Sequence, residues 1–561
     1  MRIRALAWAA LALCLSPAVR AAELQAELRD PAFAALDDEL ARARDLTMEG
    51  ADKPYYLRAT LNDEETFQVS ASFGALVQRA STRRSTSGVM VRVGDPSLDN
   101  GNFADDDWGF LLGGRGRGTP VEPEYDALRR ALWLQFDDGY KKALEALAKK
   151  RAYLQANQAE NRPPDFSPAA TATLVQPRQS LVVDQERWTR LVRAASALFR
   201  AHRQVVVGDA AFRASMGHQL FVSTDPARHR FADPAMELQL TAGAQAADGR
   251  ELRVRFTASG RREADLPGDE AVLKAAEASA QRLLALLKAP RATEDYSGPV
   301  LFTGHAAAQF FLRAVGEPLS HPRDDLGDAR QGRLVDRIGK HVAARLLTVR
   351  DDPTQQTWRG QALLGYYPID DDSVRPQPIT LVDKGVLKTP FMSRTPTRLV
   401  RESNGHCRGG DGSVGNLFVE TATPTGRAQL KKKLLELARD EDLDSAILVE
   451  ELADSGRGRG GGGDASSLVL PAPSVAWKIY ADGREELVRG LAFKPASLRL
   501  LKEIVALGDD PSLLNTFQRG QHVSVVAPSV LVRAIDLQRL TSDFEKPPFT
   551  PRPGLARASS P

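Results

Sequence analysis

Two cysteines in 561 residues constrain this chain more than any other feature. The first, Cys14, lies in an N-terminal leader. Arg2 and Arg4 precede an apolar run from Ala5 to Leu15, followed by Pro17 and the small residues Ala18 to Ala22. This charged, apolar, small-residue order is that of a secretory signal peptide, with Val19 and Ala21 at the −3 and −1 positions. The run is too short to span a bilayer, and Leu13 stands where a lipidated cysteine needs a small residue before it. The sequence therefore predicts a signal peptide over residues 1–21 with cleavage near Ala21, and an exported chain in the periplasm or the extracellular medium. Cys407 then remains alone. No intramolecular disulfide and no cysteine-rich zinc site can form, so the hydrophobic core must hold the fold.

The length allows such a core, with room for two to four domains at about 150 residues each. Lys and Arg number 75 against 72 Asp and Glu, for a formal charge of +3. Arg2, Arg4 and Arg20 account for that excess, so the chain beyond the leader is neutral. A neutral chain has no overall electrostatic reason to bind nucleic acid. No later stretch reaches about 18 uninterrupted apolar residues, so nothing is predicted to span a membrane.

Periodicity predicts an α+β chain in two parts. Strands are expected at Tyr55–Asn62, Glu65–Arg79 and Val89–Val93, then a helix from Tyr125 to Gln158 broken by Pro163, Pro164 and Pro168. A second helix, Gln185–Arg200, precedes strands at Gln204–Val207, Gln219–Ser223, Met236–Thr241 and Leu252–Ala258. Asp248-Gly249 marks a hairpin before the last of these. The helix Glu270–Lys288 ends the first part, an α/β half over residues 22–290 with a helical and Pro-rich insertion near 125–187. The second part, residues 291–545, is β-rich. It opens with a buried strand, Tyr296–Phe302, and an apolar helix, Ala306–Val315. Strands follow at Gln361–Tyr367, Ile379–Val382, Val386–Phe391, Leu417–Glu420, Ala446–Glu450, Ser474–Tyr480 and Glu485–Val488. Helices are expected at Gly426–Asp440 and Lys494–Ala506. Gly113–Thr119 and Arg457–Gly463 read as loops, and residues 546–561 as a disordered tail.

Chemistry-bearing residues are sparse. None of the eight histidines pairs with another at the i, i+4 spacing that presents two imidazoles to zinc. His305, at the strand-to-helix junction, reads as a cap or packing residue. Asp370, Asp371 and Asp372 form a carboxylate cluster that could take a hard cation, but a turn between strands explains it more simply. His406 and Cys407 are adjacent, and neighbours in an extended segment face opposite ways, so they do not form a nucleophile–base couple.

Several segments occur in the order seen in TldD/PmbA proteins, the metallopeptidase family also called modulators of DNA gyrase. These are Tyr296-Ser-Gly-Pro-Val-Leu-Phe302, Asp370-Asp-Asp-Ser373, Leu381-Val-Asp-Lys-Gly-Val-Leu387, Ser403-Asn-Gly-His406, Tyr480–Gly490 and the block ending Val523-Ser-Val-Val-Ala-Pro528. The chain resembles this family over about Tyr55 to Leu540. The resemblance implies a two-part fold, assembly as a homodimer or as a heterodimer with a TldD/PmbA-type subunit, and action on unfolded or modified peptides. Active members carry His-Glu-x-x-x-His, whose histidines hold zinc together with a distant cysteine while the glutamate acts as base. Aligned to that motif, this chain reads Leu312-Arg313-Ala314-Val315-Gly316-Glu317. Leucine has no lone pair to donate and arginine stays protonated. No cysteine stands near Val523 to Ala527. Placing His305-Ala306 on the motif instead still loses the base and the second ligand, at Phe310. No catalytic residue, metal ligand or zinc cofactor is therefore expected, and Glu317 is expected to pair with Arg313.

Three functions follow as expectations. The first is a catalytically degenerate relative that binds peptide or a partner subunit. The second is an active peptidase with a relocated site using His305, His321 or Asp370–Asp372. The third is a purely structural envelope protein.

Overall fold

The computed structural model describes residues 30–103, 117–118, 124–157, 162–326, 334–453, 467–518 and 520–541. The leader, the Arg457–Gly463 stretch, the tail from 546, and all of 113–119 except Arg117 and Gly118 lie outside the described residues.

The first part is a long, mainly antiparallel sheet with helices on one face. Its helices are α1 (Pro31–Ala43), α2 (Tyr125–Asn157), α3 (Gln185–Leu198) and α4 (Asp269–Lys288). Its main strands are β1 (Pro54–Ser72), β2 (Ala75–Asp95), β3 (Val207–Ser223), β4 (Arg228–Gln245) and β5 (Glu251–Gly260), hydrogen-bonded in the order β2-β1-β3-β4-β5. Strand alternation explains the layering. On β1, Leu57, Ala59 and Leu61 pack under α1 and α2, while Phe67, Val69 and Ala71 pack under α3 and α4. Each large apolar side chain so buried stabilises the fold by about 1.5–3 kcal/mol. The alternate residues, Arg58, Thr60, Asn62 and Glu64, face a cleft.

The β1–β2 hairpin corrects the expected strands. The two strands expected over Tyr55–Asn62 and Glu65–Arg79 are one strand ending at Ser72, and the chain reverses at Phe73-Gly74, both with positive φ. The polar residues Arg79 to Ser87 carry no apolar alternation, yet they continue β2 by pairing along β1. The strands expected at Gln219–Ser223 and Met236–Thr241 are likewise parts of β3 and β4, whereas of Gln204–Val207 only Val207 is extended, at the start of β3, and the residues before it form a turn.

The second part contains two sheets around one helix. Strands β6 (Tyr296–Phe302), β10 (Ser445–Leu452), β11 (Pro473–Tyr480), β12 (Glu485–Val488) and β15 (Val530–Arg539) form one sheet, in the order β12-β11-β10-β6-β15, with β6 and β10 parallel. Strands β7 (Thr348–Asp351), β8 (Ile379–Asp383), β9 (Asn416–Glu420), β13 (Ser512–Gln518) and β14 (Gln521–Ala527) form the other, in the order β8-β7-β9-β14-β13. Helix α5 (Gly304–Phe311) lies between them, its Phe310 and Phe311 in one core with Phe302, Val449, Val349 and Val525. Helix α6 (Arg427–Asp440) covers the outer face of the first sheet through Leu430, Leu434 and Ala438.

Three expectations for this part are corrected. Lys494–Ala506 is not an α-helix. It contains a short strand, Ala496–Ser497, a 3₁₀ segment, Leu498–Glu503, and the start of a strand, Ile504–Leu507, paired to β15. Its Leu498, Leu500, Leu501 and Ile504 are buried in the core, a tertiary demand that overrides the helical spacing. The strand expected over Gln361–Tyr367 is extended only at Gln361–Ala362, and that over Val386–Phe391 only at Val386–Leu387. Among the described residues, no helix is long and apolar enough to cross a membrane.

Candidate functional site

The two parts enclose a cleft of about 3420 Å³. One wall is the polar face of the first sheet. The other carries His305, Gln309, Leu312, Arg313 and Glu317 from the central helix, together with His321, Asp371, Arg408 and His522.

The central helix changes pitch at Leu312. After α5, Leu312–Gly316 is a π-turn and Glu317–Leu319 a final α-turn. Pro318 supplies the cause. It has no N–H to bond the Ala314 carbonyl and its ring would clash there, so the chain widens and the Glu317 N–H bonds the Leu312 carbonyl instead. Leu312 is buried in the core shared by the two sheets, where Val523, Val525 and Ala527 of β14 also point. Arg313 reaches Glu317 at 2.8 Å, one helical turn away. The expected pairing of these two residues is present. A leucine, an ion-paired guanidinium and an apolar strand offer no tetrahedral donor set for zinc.

The Asp370–Asp372 cluster is a turn. Asp370 is fully buried, and its carboxylate accepts the N–H groups of Asp372 (3.0 Å), Val374 (2.8 Å) and Cys407 (3.0 Å). Asp371 accepts the Gly409 N–H at 2.6 Å. Asp372 meets Arg58 at 3.2 Å and accepts the Arg394 N–H. Burial, followed by the nearby Asp372 charge, pushes the Asp370 carboxyl well up. Of the three, only Asp371 lines the cleft. Among the described residues, no three His, Cys, Asp or Glu side chains converge as a metal site would require.

His406 and Cys407 are both fully buried. The His406 ring lies 3.0 Å from the Asn404 carbonyl and 3.2 Å from Asp351, and is held by those groups. Burial, reinforced by the neighbouring aspartates, pushes the Cys407 thiol well up, which keeps it protonated and unreactive. His305 stands on the cleft wall with a hydrogen bond to the backbone of Leu513. The helix N-cap is Thr303, without a side-chain cap bond, so His305 does not cap. His321 adopts φ 53° and donates its N–H to the Gly412 carbonyl.

Sequence reasoning missed Arg408. Its guanidinium lies 4.4 Å from the centre of the Tyr367 ring and donates twice to Gln521 Oε1, at 3.0 and 2.6 Å. This ties the Asp370 turn to the β13–β14 hairpin across the cleft floor. A polar residue among apolar strand positions was the available signal, but Gln521 precedes the apolar run it belongs to.

Residues 294–539 match the family model of the PmbA/TldA metallopeptidase C-terminal domain. The fold of the chain as a whole is shared with solved structures. TldE from Thermococcus kodakarensis is 12% identical, with a TM-score of 0.57 over 90% of this chain and 100% of that one. A protein described as a modulator of DNA gyrase from Bacteroides thetaiotaomicron is 12% identical, with a TM-score of 0.60 over 91% and 100%. Another from Thermotoga maritima is 15% identical, with a TM-score of 0.57 over 90% and 99%. No curated protein matches the sequence significantly.

Proposed function

We propose that this is an exported TldD/PmbA-type protein that lacks a catalytic zinc site and uses its cleft to hold unfolded peptide or a partner subunit. What supports this reading is the central helix, where Leu312 is buried and Arg313 pairs with Glu317, at the positions to which the resemblance assigns the two zinc-binding histidines and the base. The scaffold around those positions keeps its two sheets and buried helix, and the cleft is large enough for an extended chain. A peptide-holding role uses what the cleft offers: polar walls, and β13 at the edge of its sheet. As a partner subunit, the chain would complement an active member in a heterodimer; it could also pair with itself.

The test is zinc content of the mature protein, measured together with cleavage of an unfolded peptide in the presence and absence of chelator. The expected result is substoichiometric zinc and no chelator-sensitive cleavage. Stoichiometric zinc with chelator-sensitive cleavage overturns the reading. Cleavage lost on His305→Ala or His321→Ala would locate a displaced site instead. Recovery of neither peptide nor partner on purification from the host would favour the purely structural role.

A further inference from the structure

The Pro-rich insertion ends in a strap across the helix-bearing face of the first sheet. It starts against the Asp370 turn of the second part, where Thr171 bridges Val374. Thr173–Val175 then pairs in parallel with Arg228, His229 and Arg230 of β4, and the Gln176 N–H donates to the Arg230 carbonyl at 2.8 Å. Pro177 has no N–H to give, and the ladder stops there. Val175 packs with the core under α1 and α2, and Leu181 and Val183 with the core under α3 and α4. The strap therefore spans the gap between the two helix pairs.

Beyond Pro177, side chains hold it. The Gln179 N–H donates to His218 Nε2 at 3.0 Å, the Leu181 N–H to Glu65 Oε2 at 3.2 Å and the Asp184 N–H to Glu263 Oε1 at 2.9 Å. Arg178 adds an ion pair to Asp63 at 2.7 Å. A ring nitrogen that accepts a backbone N–H carries no proton of its own, so this arrangement requires neutral His218. Four charged groups face the buried ring: Asp63 and Glu65 of β1, Arg83 of β2, and Arg178 of the strap itself. Burial, and then the Arg178 charge, hold the imidazole below its ordinary value although Asp63 and Glu65 pull it up.

One proton would act on both anchors. On Nε2 it removes the acceptor of the Gln179 N–H. The imidazolium also repels Arg178 and competes with it for Asp63, which Arg83 already shares at 2.8 Å. The effect is reciprocal, since the guanidinium that opposes the proton is itself driven off by it.

We infer that His218 is the latch of an acid-released strap: neutral, it closes residues 177–180 onto β1 and β3, and protonated, it lets them go. The latch holds fully above about 6.5, where a free imidazole titrates, and weakens as pH falls toward the depressed value of the closed state, by up to about tenfold per pH unit.

The test is hydrogen exchange of the mature protein at about pH 7.5 and 5.5, read by mass spectrometry over residues 177–183 and corrected for the intrinsic pH dependence of exchange. The Gln179 amide should lose about five- to tenfold in protection on acidification, while Met236 to Leu240 of β4 keep theirs. His218→Gln supplies an acceptor that does not titrate, and its strap should be equally protected at both pH values. Arg178→Gln leaves the imidazole in place but removes the charge that opposes its proton. Its strap should start less protected at neutral pH and lose less on acidification. No loss in the wild type, an equal loss in His218→Gln, or a parallel loss in β4 each overturns the inference. Should His218→Gln fail to fold, Arg178→Gln decides alone, and an acid loss as large as the wild type's overturns it.

Discussion

His229 shows how one buried side chain sets a pH dependence. Its Nδ1 lies 2.6 Å from Ser373 Oγ and its Nε2 3.2 Å from Gln219 Oε1, with the ring stacked on Phe221 at 4.7 Å. The amide oxygen requires Nε2 to donate, so the network fits the neutral Nε2–H tautomer. Burial, and then the Arg58 charge, pushes the imidazole down to about 3. In the unfolded chain it titrates near 6.5, so between these values the unfolded state binds the extra proton. The stability this site contributes is therefore full above the unfolded value and is lost as pH falls toward the folded one, by up to about 1.4 kcal/mol per pH unit. Asp411, pushed up to about 6 by burial, works in the opposite direction. Urea unfolding of wild type and His229→Gln across the mildly acidic range isolates the histidine. The wild type should lose about 2 kcal/mol more than the variant between roughly pH 7 and 5, and equal losses would refute the assignment. A second residue-scale prediction concerns Leu312. Leu312→Ala should cost about 2–5 kcal/mol in chemical denaturation, whereas a residue idling on the cleft surface would cost well under 1 kcal/mol.

At the scale of elements, the segment after α2 binds the two parts together. Phe166 is stacked between the guanidinium groups of Arg92 (4.2 Å) and Arg394 (4.0 Å) and lies 4.8 Å from the Tyr56 ring. Next to it, fully buried Asp165 takes Lys150 at 2.6 Å and Arg323 at 2.8 Å. Phe166→Ala should destabilise by about 3–5 kcal/mol, and Phe166→Leu by less; equal effects would show that the ring's stacking on the two guanidinium groups, rather than its apolar burial, carries the contribution. The sequence disclosed only prolines here, which mark where a helix stops and say nothing of what the following residues touch. The same limit applies elsewhere. Tyr125–Asn157 and Asp269–Lys288 were legible because apolar residues recur at helical spacing over many turns. Residues 79–87 of β2 were not, since their strand character comes from pairing with β1 rather than from their own pattern. Of the site, the pairing of Arg313 with Glu317 was readable, because opposite charges four residues apart meet on one face of a helix. Arg408 required the fold, because its contacts join the Asp370 turn to Gln521 of β14.

For the whole molecule, the core of the first part reaches across the boundary to Val475, Trp477 and Leu487 of β11 and β12, and polar contacts do much of the remaining joining. Arg58 of β1 meets Asp372 with both side chains more than nine-tenths buried. Ser373 bonds His229, and its carbonyl accepts the Ala172 N–H at 2.8 Å. Arg394 reaches Asp225 at 2.6 Å and the Ser167 carbonyl at 3.0 Å. Such a seam couples two cores only while each buried charge keeps its partner, because removing one leaves the other desolvated at a cost of about 3–5 kcal/mol. Asp372→Ala strips Arg58 of its carboxylate and should weaken the seam more than either core. Calorimetry of the wild type should show the parts melting together, and the variant should show the transition broadened or split, with the lower-melting part shifted by several degrees. Lys141→Ala, which removes an exposed i, i+4 pair with Asp137 on α2, supplies the control and should leave the profile unchanged. A single transition in Asp372→Ala, displaced as a whole without broadening, would mean that the apolar contacts between the parts suffice and that the buried pair fixes their orientation without holding them together.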